Sequence, residues 1–227
     1  MRMDELLMDS QVSLTIDGNR ITVKEGETIL WAALNSGIYI PNLCSIQGLG
    51  EPFASCRLCF VEVEGEDEPV TACTRAAQEN MVVYTRGERA LRLARTAAEL
   101  LLASHHVDCP HCVKNRSCEL HRIAKHLRIT LRPKRFRRLE KDLPLDESSP
   151  LFVYDPNKCV LCGKCVWTCR EKLRIGAIGF ARRGFKRIVA TFGDQPLAQS
   201  RCTQCGECVK VCPVGSLAFK EKTEGRS

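Results

Sequence analysis

The chain has 227 residues, fifteen of them cysteine, and a formal net charge of +7. The length suits one or two domains, and so mild a positive balance, which metal-bound thiolates would offset, is a weak argument for nucleic acid as a partner. The odd cysteine count and a first ten residues (MRMDELLMDS) with acids and no apolar run argue against a secreted disulfide framework, and no apolar stretch nears the roughly 20 residues that span a bilayer.

Thiols crowded into a chain of the reducing cytoplasm hold metals more often than they pair with each other. Residues 11–23 (QVSLTIDGNRITV) alternate apolar and polar on either side of Asp17-Gly18-Asn19, which predicts a hairpin. Residues 28–36 predict a short helix, with Thr28 as its cap and Gly37 just past its end. Strands are expected at Phe60–Val63, Val70–Thr71 and Met81–Tyr84. Cys44, Cys56, Cys59 and Cys73 interrupt these elements, and Gly48 and Gly50 in the loop would let backbone N–H groups approach a bound group. Residues 1–86 thus predict a small α+β domain with a mixed sheet.

Glu88 to about Ser104 (RALRLARTAAELLLAS) has the three-and-four recurrence of a helix, and Glu119–Arg128 predicts a second. Between them runs His105-x3-Cys109-x2-Cys112-x5-Cys118, so residues 87–130 form a segment of their own. A basic stretch, LRPKRFRR, and a Pro-containing connector, LPLDESSP, make 131–150 a basic linker. Residues 151–227 contain the internal repeat: CVLCGKCVWTC at 159–169 and CTQCGECVKVC at 202–212 share one spacing and predict a pseudo-symmetric pair of sites.

That spacing, C-x2-C-x2-C-x3-C, is the run by which two-cluster ferredoxins hold [4Fe–4S] cubes, three ligands from one run and the fourth from the other. Crossing gives Cys159, Cys162, Cys165 and Cys212 for one cluster, and Cys202, Cys205, Cys208 and Cys169 for the other. A zinc site uses C-x2-C pairs too, but takes four ligands in total, and eight cysteines in two runs suit two cubes better. Cys212 is followed by Pro213 as in the bacterial pattern, whereas Cys169 is followed by Arg170, and 32 residues separate it from Cys202. The turn and the exposure at Cys169 are therefore open.

Plant-type ferredoxins hold [2Fe–2S] with C-x4-C-x2-C…C. Cys44, Cys56, Cys59 and Cys73 have gaps of 11, 2 and 13 residues, which fits a β-grasp ferredoxin with a widened loop; zinc is the plainer alternative. In the third set three cysteines cannot complete a cube. His105, His106 and His111 compete for the fourth position, and His111 sits inside the C-x2-C loop, where its ring would point away. A zinc site of three thiolates and one imidazole is the rival reading.

Cys44…CRLC (56–59)…Cys73, HHVDCPHCVKNRSCEL (105–120) and the two four-cysteine runs together resemble the N-terminal region of the large iron–sulfur subunit of respiratory complex I and of [FeFe] hydrogenases. The chain is similar as well to the small diaphorase subunit of NAD-linked [NiFe] hydrogenases and to some NAD-dependent formate dehydrogenases. The resemblance implies that His105 joins Cys109, Cys112 and Cys118 on a [4Fe–4S] cluster, for one [2Fe–2S] and three [4Fe–4S] clusters in all. It also implies an α+β architecture: an N-terminal β-grasp [2Fe–2S] ferredoxin domain, a small helical segment for the cluster with one histidine ligand, and a C-terminal two-[4Fe–4S] ferredoxin-like domain.

No G-x-G-x-x-G or P-loop is present, and the chain stops soon after its last cysteine. Flavin, NAD(H) and the terminal active site are therefore expected on partner subunits, with no catalytic residue here. The expected role is an electron relay in an NAD-linked, including electron-bifurcating, hydrogenase. The equivalent formate dehydrogenase subunit and a free-standing carrier are the alternatives, and a zinc-binding nucleic-acid module, prompted by RPKRFRR (132–138), is a remote one.

Overall fold

The computed structural model describes residues 10–139 and 141–220. Residues 1–9, read above as lacking a signal-type apolar run, lie outside the described residues, as do Glu140 and residues 221–227. The chain divides into two compact units, one up to Ala98 and the other from Glu99 onward.

In the first unit β1 (Gln11–Ile16) and β2 (Asn19–Lys24) form the expected hairpin. Asp17 and Gly18, both at positive φ, make the two-residue turn that matches strand twist. The Asp17 carboxylate also accepts from the backbone N–H of Thr85 at 2.8 Å, which fixes the end of β5 (Val82–Tyr84) beside the turn. With β3 (Phe60–Val63) and β4 (Val70–Thr71) the sheet order is β2-β1-β5-β3-β4, and only the β1–β5 pair is parallel. Helix α1 (Ile29–Asn35) is capped by Thr28, whose hydroxyl accepts from the Trp31 N–H, and Gly37 ends it in the left-handed region. Its buried Ile29, Leu30, Ala32 and Ala33 pack with Leu14, Ile16, Val61 and Val83 into one aliphatic core.

Helix α2 (Glu88–Ala103) starts where the Glu62 carboxylate accepts from the Ala90 N–H at 3.1 Å. Gly87 leaves room for that carboxylate, because a Cβ would fall 2.1 Å from the Glu62 carboxyl carbon and the side chain would have to move aside. In the second unit α3 (Glu119–Leu127) buries Leu120, Ile123, Ala124 and Leu127 on one face. It stops one residue short of expectation because Arg128 turns left-handed and closes the helix by bonding to the Ala124 and Lys125 carbonyls.

The remaining elements are short: β6 (Phe152–Tyr154) paired with β9 (Leu217–Phe219), the hairpin β7 (Ile178–Ala181) and β8 (Ile188–Thr191), and the one-turn helices α4 (Lys164–Trp167) and α5 (Glu207–Lys210). The hairpin accounts for much of the long connection between Cys169 and Cys202. Residues 131–150 are irregular but stitched down. Arg132 donates to the Val107 carbonyl, Leu139 N–H to the Ala103 carbonyl, and Leu143 and Asn157 exchange two hydrogen bonds of 2.8 Å. Among the described residues no helix is long and apolar enough to cross a membrane.

Candidate metal centres

All fifteen cysteines are free thiols. In the first unit Cys44 follows α1, Cys56 and Cys59 lead into β3, and Cys73 follows β4; all four are buried. The Cys44 and Cys56 sulfurs lie 3.4 Å apart. Ala54 and Arg57 take left-handed φ around Cys56, a strained backbone that bends the loop about the thiols. The four titrate as two pairs. The Cys56 thiol beside it pulls Cys44 down to about 5 against its burial, while Cys56 is pushed up by the same contact and by burial. Cys73 is likewise lowered by Cys59, and Cys59 raised by Cys73 and by burial. A cationic group bound to these thiols would compensate the charge that burial disfavours.

Cys109 begins a 3-10 turn (Cys109–His111) that also brings Cys112 round, its N–H bonded to the Cys109 carbonyl. Cys118 sits at the N-terminus of α3, where the Leu120 and His121 amides oppose the upward push of burial on its thiol. His111 is exposed, with Nδ1 2.9 Å from the Asp108 carboxylate. His105 is buried, and its Nδ1 has no hydrogen-bond partner. Burial lowers its pKa to about 4, with the Lys158 backbone acting the other way, so the ring is neutral at pH 7. A buried imidazole nitrogen with a free lone pair suits a metal ligand.

The two repeats fold alike. In each, the residue two beyond the first cysteine is left-handed (Leu161, φ 54°; Gln204, φ 61°), and its N–H points at that cysteine's sulfur, 3.4 Å in both cases. In each the glycine after the second cysteine, Gly163 or Gly206, is left-handed and starts a one-turn helix carrying the third. Cys169 rides a π-helical turn (Thr168–Lys172) and is buried, with the Ala177 N–H 3.3 Å from its sulfur. That answers the question left by Arg170. One cavity is lined by Cys159, Cys162, Cys165 and Cys212, a larger one of about 460 Å³ by Cys169, Cys202, Cys205 and Cys208. Each thus joins three cysteines of one run to the fourth of the other. Burial pushes the Cys159 and Cys165 thiols up, and those of Cys162 and Cys208 up to about 12.

Gly215 is a position that spacing alone did not single out: a Cβ there would lie 2.4 Å from the Cys112 sulfur. The signal was in the repeat, because the matching position after Cys169 is Lys172. Three more contacts join the same two stretches: Glu119 N–H to the Pro213 carbonyl at 3.0 Å, His106 N–H to that of Asn157 at 2.9 Å, and the His105 ring beside the Lys158 backbone. Among the described residues no group of three or more His, Cys, Asp or Glu side chains is arranged around a single metal ion. The donor set of soft thiolates with backbone N–H groups aimed at sulfur fits iron–sulfur clusters.

Comparison with known proteins agrees. Residues 9–88 match the 2Fe-2S iron-sulfur cluster binding domain, residues 95–132 the NADH-ubiquinone oxidoreductase-G iron-sulfur binding region, and residues 158–216 the 4Fe-4S dicluster domain. A chain in the crystal structure of an NAD+-reducing [NiFe]-hydrogenase in the H2-reduced state superposes with a TM-score of 0.82 at 31% identity, over 94% of this chain and 89% of that one. The chain belongs to this family of iron–sulfur subunits. It is 38% identical to the NADP-reducing hydrogenase subunit HndD of Solidesulfovibrio fructosivorans, over 93% of its own length and 37% of that relative. It is 39% identical to the NADPH-Fe(3+) oxidoreductase subunit alpha of Geobacter sulfurreducens, over 95% of itself and only 25% of that relative. As an iron–sulfur subunit of this hydrogenase-like class it is an electron-transfer protein with [2Fe–2S] and [4Fe–4S] domains.

Proposed function

We propose that this iron–sulfur subunit holds four clusters and relays electrons between a flavin- and NAD(H)-binding partner and the catalytic subunit of a cytoplasmic, NAD-linked hydrogenase. The observation that carries the reading is the crossed grouping of the two four-cysteine runs around separate cavities. Cys44, Cys56, Cys59 and Cys73 hold a [2Fe–2S] cluster in this reading. Cys109, Cys112 and Cys118 with His105 hold a [4Fe–4S] cluster, as do Cys159, Cys162, Cys165 with Cys212, and Cys202, Cys205, Cys208 with Cys169. Bound clusters supply one-electron chemistry. The chain supplies ligation, burial and N–H groups directed at sulfur, which tune each potential.

The links from Cys112 and His105 to Gly215 and Lys158 support an order of sites within the second unit. The His105 set adjoins the Cys159 set, and the Cys202 set follows. The hydrogenase reading rests on the identities of the relatives, hydrogenases among them. Anaerobic purification and metal analysis test the count: roughly 14 iron and as many acid-labile sulfides per chain are expected, with one [2Fe–2S] and three [4Fe–4S] signals by Mössbauer spectroscopy. Zinc without sulfide would sink the proposal. Hydrogen-dependent NAD reduction by the assembly purified through this chain tests the partners; an assembly that reduces NAD only with formate would replace hydrogenase with formate dehydrogenase.

A further inference from the structure

The β7–β8 hairpin and the turn after it carry two phenylalanines that contribute nothing to the fold. Phe185 is 86% exposed and Phe192 92% exposed, more than any other large apolar residue among the described ones. Each stands on a 3-10 turn, Gly184–Lys186 or Phe192–Asp194, and the turns flank β8. Scattered exposed apolar residues are ordinary; two aromatic rings almost wholly in water on one small element are the pattern of an interaction site.

The hairpin tip that carries Phe185 is basic. It reads Arg182-Arg183-Gly184-Phe185-Lys186-Arg187, and Asp194, two residues after Phe192, is paired with Arg182 at 3.0 Å. Arg187 lies over the Phe180 ring, 4.1 Å from its centroid. Arg183 and Lys186 are exposed, with no ion-pair partner among the described residues. A surface of exposed aromatics and arginines is what interface cores are enriched in, and its uncompensated positive charge selects carboxylates in the occupant. The same basic tip, set against its own copy, places like charges together and disfavours a second copy of this chain as the occupant.

The position is as telling as the composition. Ile178, Arg182, Ile188, Val189, Thr191 and Asp194 of this element line the cavity of Cys169, Cys202, Cys205 and Cys208, and Cys205 is exposed. We infer that the hairpin is the docking element for a separate protein partner presenting an apolar recess for Phe185 and Phe192, rimmed by Asp and Glu side chains. Docked there, the partner covers the face on which the Cys202 set meets the surface. The inference rests on the electron-relay reading only in naming that set as a cluster site.

The test uses the full chain, alone and in the assembly purified from cells of its own source through a tag on this chain. Amide exchange by mass spectrometry should be at least tenfold slower across residues 182–194 in the assembly than in the free chain. Arg183→Glu with Lys186→Glu, and separately Phe185→Ser with Phe192→Ser, should keep the wild-type iron and sulfide content yet come away without the partner. Asp/Glu→Lys changes in the partner, at sites cross-linked to the hairpin, should restore the charge-reversed pair. The inference is overturned if these amides exchange equally in both forms, if both double variants assemble as wild type, if the wild-type chain is recovered alone, or if the free chain self-associates through the hairpin. A wild-type chain lacking iron and sulfide would instead overturn the relay reading, and the exchange result would still decide the docking.

Discussion

At Gly215 a hydrogen atom stands where a methyl group would lie 2.4 Å from the Cys112 sulfur. Gly215 is not at positive φ, so alanine meets no backbone strain there and acts only by displacing that thiol. Gly215→Ala is therefore expected to lose the His105-set cluster selectively, about four of the iron atoms, with the [2Fe–2S] signal unchanged. Equal loss from every cluster in the metal analysis would mean general unfolding instead. His105 offers the complementary experiment. Its neutral buried ring donates no negative charge, so His105→Cys should keep the iron content and lower the midpoint potential of one cluster, by on the order of 100 mV. An unchanged potential in redox titration would remove His105 from the ligand set.

At the scale of elements, the Asp146 carboxylate adds side-chain bonds to the backbone ties that hold the connector before β6. Asp146 Oδ1 accepts from the Ser148 N–H and hydroxyl, and Oδ2 from the Leu197 N–H at 2.8 Å, which ties residues 146–148 to the turn that leads to Cys202. Burial works to raise the Asp146 pKa, but these hydrogen bonds outweigh it and hold the carboxyl below its usual value. A depressed carboxylate stabilises the fold above its unfolded pKa of about 3.9, and that contribution disappears as pH falls through the folded value. Asp146→Asn should thus lower stability by about 1–2 kcal/mol at pH 7. The difference from wild type should shrink on acidification below the ordinary carboxylate range, as measured by denaturant unfolding at a series of pH values. A difference that grows toward low pH would contradict this.

Elements with local signals were legible in the sequence: the Asp17-Gly18 hairpin, the Thr28 cap, the periodic α2 and α3, and the strands from Phe60 to Tyr84. The repeat also exposed the crossed cysteine grouping. What was illegible is non-local. Strands β6 and β9, three residues each, pair across more than sixty residues of chain, too short to show a period. The left-handed turns at Leu161 and Gln204 fall on residues with no preference for that region; the site imposes them. The join at Gly215 depends on a contact between two motifs, which neither motif encodes alone.

The two units stand on different supports, and this decides how the whole molecule responds to losing its metal. The first unit has a continuous aliphatic core, Leu14, Ile16, Ile29, Leu30, Val61 and Val83, beneath a five-stranded sheet. Apart from α3, the second has two isolated strand pairs and one-turn helices around its cysteines, elements too small to be stable in water unaided. Burial raises its Cys162 and Cys208 thiols, so metal binding there releases protons, and with so little regular structure of its own this unit is expected to fold with its metal. Oxidative removal of iron with a chelator is accordingly expected to expose the amides of β6, β9, α4 and α5 to rapid exchange. The amides of β1, β3 and β5 should keep most of their protection. Simultaneous loss in both units would show that the aliphatic core cannot stand without its own cluster, and full protection in both would show that the fold of the second unit precedes its metal.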